Sequence, residues 1–348
     1  MPSSALPRFC LGSFSIAGCK PFVGLVVGDT VVAVHAINGL GGMPGGRIHG
    51  AESMLELLGD WGYNLPLLRE AARLMNDVDG GKLKALGIPV LSLRVHAPLE
   101  KPGQILMARA NYRKHIVALS LKMGRGSGNT ESERRADLEK MVEHKAAVGD
   151  PFLWVKTQSA VTGPYDEILI PSMTEKADWE VELAVVIGKP ARNIGKNEVL
   201  DHVAGYCIAN DLSARDLLVR DEFGPAQDWL AAKCAPQFMP IGPYLVPAEF
   251  VANPNDLGLE LKHNGVVMQS ERSSDMIHDV QTIISYASRL VQLMPGDVIS
   301  TGSPSGNGME FGVYLKDGDV VEANIEGLGT QRNVFRREKR DPSAAFPI

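Results

Sequence analysis

Glu180 and Glu182 stand two residues apart in the otherwise largely apolar run Trp179–Gly188. Side chains alternate faces along a strand, so the two carboxylates share one face and Trp179, Val181, Leu183 and Val185 the other. The carboxylate face continues into Ala184 and Val186, so it is not wholly solvated. Like charges in a half-buried setting cost free energy unless a cation compensates them, which makes the pair good hard-cation ligands. The bland alternative is an acidic stretch on an exposed edge strand. Further on, the apolar run Gly205–Ala209 ends at Asn210-Asp211, where a helical stretch is expected to begin. Asp211 is then either a helix N-cap or a third oxygen ligand at a rigid strand end. Arg215, four residues later and expected on the same helical face, is either an ion-pair partner or a binder of a substrate carboxylate.

These pieces belong to a longer ordered series. It runs Asn111-Tyr112-Arg113-Lys114-His115, Pro151–Lys156, the Glu180/Glu182 strand and Asn210–Asp216. It continues with Lys233, Pro240–Pro243, Asn264-Gly265 with Gln269, Pro295–Gly306 and Gly318–Glu322. In this order, over roughly residues 104–335, the chain resembles the fumarylacetoacetate hydrolase family, which includes acylpyruvate hydrolases, oxaloacetate decarboxylases and catechol-pathway decarboxylase/isomerases. The resemblance implies a metal site of Glu180, Glu182 and Asp211. Three carboxylates without sulfur or imidazole favour Mg²⁺, Mn²⁺ or Ca²⁺ over zinc; the family favours Mg²⁺ or Mn²⁺. It also implies His115 as general base, Lys233 as the cation that stabilises a developing enolate or oxyanion, and Tyr112, Arg215 and Ser303 as substrate-binding residues. Without the resemblance, His115 reads as a structural histidine and Lys233 as a surface lysine.

Two departures from the family pattern bear on the chemistry. Many relatives place Glu three residues after the histidine, where this chain has Ala118, and Gln three residues after the arginine, where it has Leu218. A long polar insertion, Gly124–Asn129 and then an acidic-basic helix, follows His115 and reads as a mobile lid. Glu131, Glu133 or Glu143 is expected to orient His115 in place of the missing glutamate, although a solvated helix with no such role is the equal alternative. The favoured activity is hydrolysis of a carbon–carbon bond in an acylpyruvate-type diketo acid, with His115 activating water. The same residues without hydrolytic water would decarboxylate, hydrate or isomerise an unsaturated 2-oxo diacid. A catalytically silent metal-binding homologue is the reading from another class, and retention of His115 and Lys233 argues against it.

The elements that must position these residues are β-rich. Strands are expected at 179–188, 203–210, 257–263, 266–269, 297–302, 319–325 and 330–335, with helices at 132–147 and 275–292, the latter capped by Ser274 or Asp275. Residues 20–37 read as a hairpin around Gly28-Asp29, and 51–58 and 65–77 as short helices. With few helices and no βαβ repeat, the expected fold is α+β. A small N-terminal α+β domain (1–98) precedes the catalytic domain (104–348), for which the resemblance implies a mixed β-sandwich roll. The chain has 348 residues, a net charge of −6 and no basic cluster before Arg336–Arg340, which argues against nucleic acid. No run of about 18 apolar residues predicts a membrane span, and the N-terminus lacks the dense apolar core of a signal peptide. Neither the Gly39–Gly46 nor the Gly302–Gly312 stretch has phosphate-cradle spacing, and the second reads as a loop over the site. Cys10, Cys19, Cys207 and Cys234 show no zinc spacing and fit free thiols in a reducing cytoplasm. The resemblance adds a homodimer.

Overall fold

A computed structural model describes residues 8–339 except 41–42, 44, 78–80 and 221–225; Arg340 of the basic tail and part of the Gly39–Gly46 stretch lie outside them. The apolar runs become strands because their β-branched and aromatic residues fit a pleated, half-buried surface. The main sheet passes, strand by strand, through Ile88–Pro89, Thr30–Ala33, Phe22–Val27, Cys10–Ser15, Met239–Pro247, Val203–Asn210, Val181–Ile187, Val298–Ser300, Ile105–Arg109 and Phe152–Val155. A second sheet runs Val266–Arg272, Gly258–His263, Val320–Ile325, Gly329–Arg337, Ile168–Ile170. Pairing is mostly antiparallel, with Val298–Ser300 parallel to Ile105–Arg109 and Gly329–Arg337 parallel to Ile168–Ile170. The fold is the expected α+β, strand-rich one with mixed sheets.

The two sheets share an apolar interior in which Val181, Leu183 and Val185 lie in one cluster with Leu259, Leu261, Val321 and Phe335. Gln331, buried between them, donates through Nε2 to the carbonyls of Ile208, Pro240 and Gly242 at 3.0, 3.2 and 3.1 Å. Residues 10–96 continue the main sheet, since Leu11 in Cys10–Ser15 pairs with Leu245 in Met239–Pro247. Many of their apolar side chains, Leu11, Leu25 and Leu57 among them, belong to the same core cluster as the rest, while Phe14, Val26, Val31, Leu93 and Val95 form a smaller cluster of their own.

Two expectations about local structure are corrected. The second long helix spans Val280–Leu290 and is capped by Asp279, whose carboxylate accepts from Thr282 N at 2.7 Å, not by Ser274 or Asp275. No helix opens after Asp211. Ser213–Ala214 pairs with Ala177–Asp178 as a short strand, and only a single 3₁₀ turn, Arg215–Leu217, follows. Arg215 N is committed to Lys176 O at 3.0 Å, which holds this segment extended.

Candidate active site

The three acidic residues meet because of strand register. Val181 pairs with Asn210 and Glu182 with Ala209, so Asp211 falls opposite Glu180, its N–H bonded to Glu180 O at 2.8 Å. On this shared face Glu180, Glu182 and Asp211 are buried, each offering a carboxylate oxygen within 4.8 Å of the others. The next strand supports Glu182: Ser300 Oγ donates to its Oε2 at 2.5 Å and Gly302 N at 3.0 Å.

Cations enter the cluster from three sides. Lys233, at the end of the short helix Trp229–Lys233, places Nζ 2.6 Å from Glu180 Oε2 and 2.5 Å from Asp211 Oδ2. Lys156 Nζ lies 2.6 Å from Asp211 Oδ1. Both ammonium groups sit 5.8 Å from the centroid of Trp154, a favourable cation–π geometry. Arg215 bridges Glu180 Oε1 at 2.5 Å and Asp178 Oδ2 at 2.7 Å. Asp178 lies on the Glu180/Glu182 face, one step earlier, and also accepts from Gly308 N at 2.6 Å and Met309 N at 3.1 Å.

The charges do not balance. Asp178, Glu180, Glu182 and Asp211 face Lys156, Arg215 and Lys233, leaving one carboxylate without a cation. Glu182 is that residue: burial first, then Asp211 and Glu180, push its carboxyl well above the usual range. Burial would raise Glu180 as well, but Arg215 and Lys233 outweigh it and hold Glu180 ionised. Burial opposes the charge on Lys233, yet Asp211 and Glu180 keep it an ammonium. Burial, and the like charge of Lys233, pull Lys156 down despite Asp211. An oxygen-only donor set with one surplus negative charge fits a hard divalent cation.

His115 reaches the same cavity from the helix Arg113–Lys122. Its Nδ1 lies 2.6 Å from Glu310 Oε1, and both side chains are nearly buried. Glu310 also accepts from Ser305 Oγ at 2.7 Å and Gly306 N at 2.9 Å. Those bonds and His115 overcome the burial that would raise the Glu310 carboxyl, and hold it below its ordinary value. The partner of His115 therefore comes from the short helix Gly308–Phe311 beyond Val298–Ser300, not from the Glu131–Val148 helix. There Glu133 completes a capping box with Thr130, and Glu143 pairs with Arg113 at 3.0 Å.

The cavity, about 400 Å³, is lined by His115, Glu180, Glu182, Asp211, Arg215, Lys233 and Ser303 together with Trp154, Trp229, Leu218 and Gln227. Seven of the eight expected site residues thus converge. Tyr112 is the exception: it is fully buried, does not line the cavity, and burial raises its phenol. Arg215 is committed to two carboxylates, and Ser303 accepts from Gln269 Nε2 at 2.9 Å. Leu218 gives the wall an apolar patch, and Gln227, bridged to Val219, brings an amide to the same wall.

Glu310, Asp178 and Lys156 escaped the sequence reading, though each left a signal. Glu310 is the one carboxylate in the Gly302–Gly312 stretch, Asp178 precedes Glu180 in strand phase, and Lys156 ends the Pro151–Lys156 motif.

Residues 104–336 match the family profile described as fumarylacetoacetate (FAA) hydrolase C-terminal. The fumarylacetoacetate hydrolase domain-containing protein 2 homolog of Dictyostelium discoideum is 36% identical over 257 residues, 71% of this chain and 75% of that protein. The Homo sapiens protein named oxaloacetate tautomerase FAHD2A, mitochondrial, is 41% identical over 235 residues, 67% of this chain and 66% of its own length. Among solved structures, a fumarylacetoacetate hydrolase from Exiguobacterium antarcticum superposes with a TM-score of 0.70 at 28% identity, covering 95% of this chain and all of that one. The chain belongs to the fumarylacetoacetate hydrolase family.

Proposed function

We propose that the chain is an enzyme that moves a proton at the carbon beside the keto group of a small 2-oxo acid, interconverting its keto and enol forms. The observation that carries this reading is the His115–Glu310 pair at 2.6 Å, facing one cavity with the carboxylate cluster and Lys233. Glu310, held ionised, fixes the imidazole through Nδ1 and leaves Nε2 to take and return a proton. Lys233 stays charged where negative charge would develop on the keto oxygen. Ser303 and Arg215 line the wall against which a carboxylate would rest. Glu180, Glu182 and Asp211 would hold Mg²⁺ or Mn²⁺, which when bound supplies electrophilic polarisation of the substrate's oxygens. The name of the 41%-identical human relative supports tautomerisation over other outcomes.

Carbon–carbon hydrolysis of a diketo acid is the second reading. The buried carboxylate behind His115 favours it, because the same pair could activate water. Homodimerisation and a cytoplasmic location belong to the proposal as well. Four free cysteines agree with a reducing compartment, and no described helix is long and apolar enough to cross a membrane.

The test is to follow enol-to-keto conversion of oxaloacetate by its ultraviolet absorbance, and pyruvate release from an acylpyruvate, with Mg²⁺ or Mn²⁺ present. Catalysed tautomerisation without carbon–carbon cleavage is expected, and His115→Ala should lower it by about 10²-fold or more. Pyruvate release from the acylpyruvate, with no tautomerisation, would install the hydrolytic reading instead.

A further inference from the structure

The outer half of the cavity carries charge that the chemistry at its base does not use. Arg109, Arg125 and Lys145 line it, and each comes from a different element: the end of the strand Ile105–Arg109, the connection between two helices, and the last turn of the helix Glu131–Val148. The carboxylates lining the cavity among the described residues are Glu180, Glu182 and Asp211, all engaged at its base. Three acidic groups of the insertion are committed elsewhere. Glu143 pairs with Arg113, Asp137 accepts from Ser127 N at 2.8 Å, and Glu133 caps its own helix. Arg109 sits over two aromatic rings, its Cζ 5.5 Å from the centroid of Phe152 and 5.3 Å from that of Trp229, which restrains the guanidinium at the cavity wall. Arg109 and Lys145 each feel a neighbouring cation of this set. Burial first, then Arg125, lowers Arg109; burial first, then Arg109, lowers Lys145. Converging like charges of this kind cost free energy that an anion between them would relieve.

We propose that Arg109, Arg125 and Lys145 form a distal anion subsite that takes the second carboxylate of a dianionic 2-oxo acid and sets a preference for diacids over monoacids. The inference rests on the reading of the cavity base as the seat of the 2-oxo acid end. A chelating head at the base and a carboxylate at the mouth would span the cavity, with Trp154 and Trp229 as the apolar wall between them. Because Arg125 and Lys145 belong to the segment between His115 and Pro151, specificity would reside in that helical pair and its connection.

Two inert probes separate the two ends. Oxamate carries the head alone; N-oxalylglycine carries the same head and a distal carboxylate. Both are titrated calorimetrically into the Mn²⁺-loaded protein. N-oxalylglycine should bind at least about tenfold more tightly, and the ratio should shrink at high salt. Arg125→Gln and Lys145→Gln should each cut the ratio about threefold or more, and the double variant about tenfold, with oxamate affinity unchanged. Equal affinity of the two probes in the native protein, or variants that weaken both alike, would overturn the subsite. Failure to bind either probe would overturn it too. If the ratio holds but oxaloacetate is not tautomerised, the subsite stands and the proposed reaction falls. If tautomerisation occurs and the ratio is near one, the reverse holds.

Discussion

At the scale of single residues, Glu180 and Glu182 look alike in sequence and differ in electrostatics. Glu180 is held ionised between Arg215 and Lys233, whereas Glu182 is the carboxylate for which no cation is left. In metal-free protein, Glu180→Gln should cost about 3–5 kcal/mol, because it leaves buried cations short of a counter-charge. Glu182→Gln should cost about 1 kcal/mol or less, since an amide replaces a carboxyl that favours its neutral form and can still accept from Ser300 and Gly302. Urea unfolding measures both, and equal losses would refute the charge count. Glu310 supplies the pH dependence. Its folded carboxyl titrates below the ordinary value. Its stabilising contribution is therefore complete above that value, about 4.3, and is lost as pH falls through the lower one. Glu310→Gln should thus lower Tm at neutral pH and lose that deficit in strong acid, while cutting turnover by about 10–10²-fold. Unchanged turnover would detach Glu310 from the base.

At the scale of elements, the loop between Val298–Ser300 and the short helix Gly308–Phe311 is the fastening of the site. The loop presents Ser303, and the helix presents Glu310, docks on Asp178 through Gly308 N, and receives Lys122 Nζ at the carbonyls of Met309 and Glu310, at 2.8 and 2.7 Å. Gly306 has φ +106°, and a Cβ there would lie 1.9 Å from Met268 O. Gly306→Ala should therefore destabilise by about 1–3 kcal/mol or more and reduce activity out of proportion to Tm, because it displaces Glu310. Normal activity at normal Tm would show that the loop tolerates a shift. Sequence exposed some of these relations and hid others. Strand phase placed Glu180 with Glu182, and an apolar strand ending in Asp211 announced a third donor, because both signals are local. The Glu310–His115 contact joins residues 195 positions apart, so no periodicity could reveal it. The extended path after Asp211 was hidden for the same reason: Arg215 N answers to Lys176 O, a partner from another segment.

At the scale of the whole molecule, the proposed division near residue 98 follows a change in sequence character, while the sheet and core run through it. A chain beginning at residue 99 would uncover the edge of Met239–Pro247 that Cys10–Ser15 now covers, together with apolar surface from the shared core. Such a fragment should aggregate or melt far below the full chain, as light scattering and calorimetry would reveal; a soluble, cooperatively folded fragment would establish autonomy. The pairing of Leu11 with Leu245 also has a temporal meaning. A ribosome releases the first strand long before it makes the partner, and at ordinary elongation rates the interval is on the order of tens of seconds. During that wait the hairpin Phe22–Ala33 and its neighbours hold half a sheet with an open flank. The nascent chain is thus most vulnerable to misassociation midway through its own synthesis, and holding chaperones should engage it before residue 245 emerges.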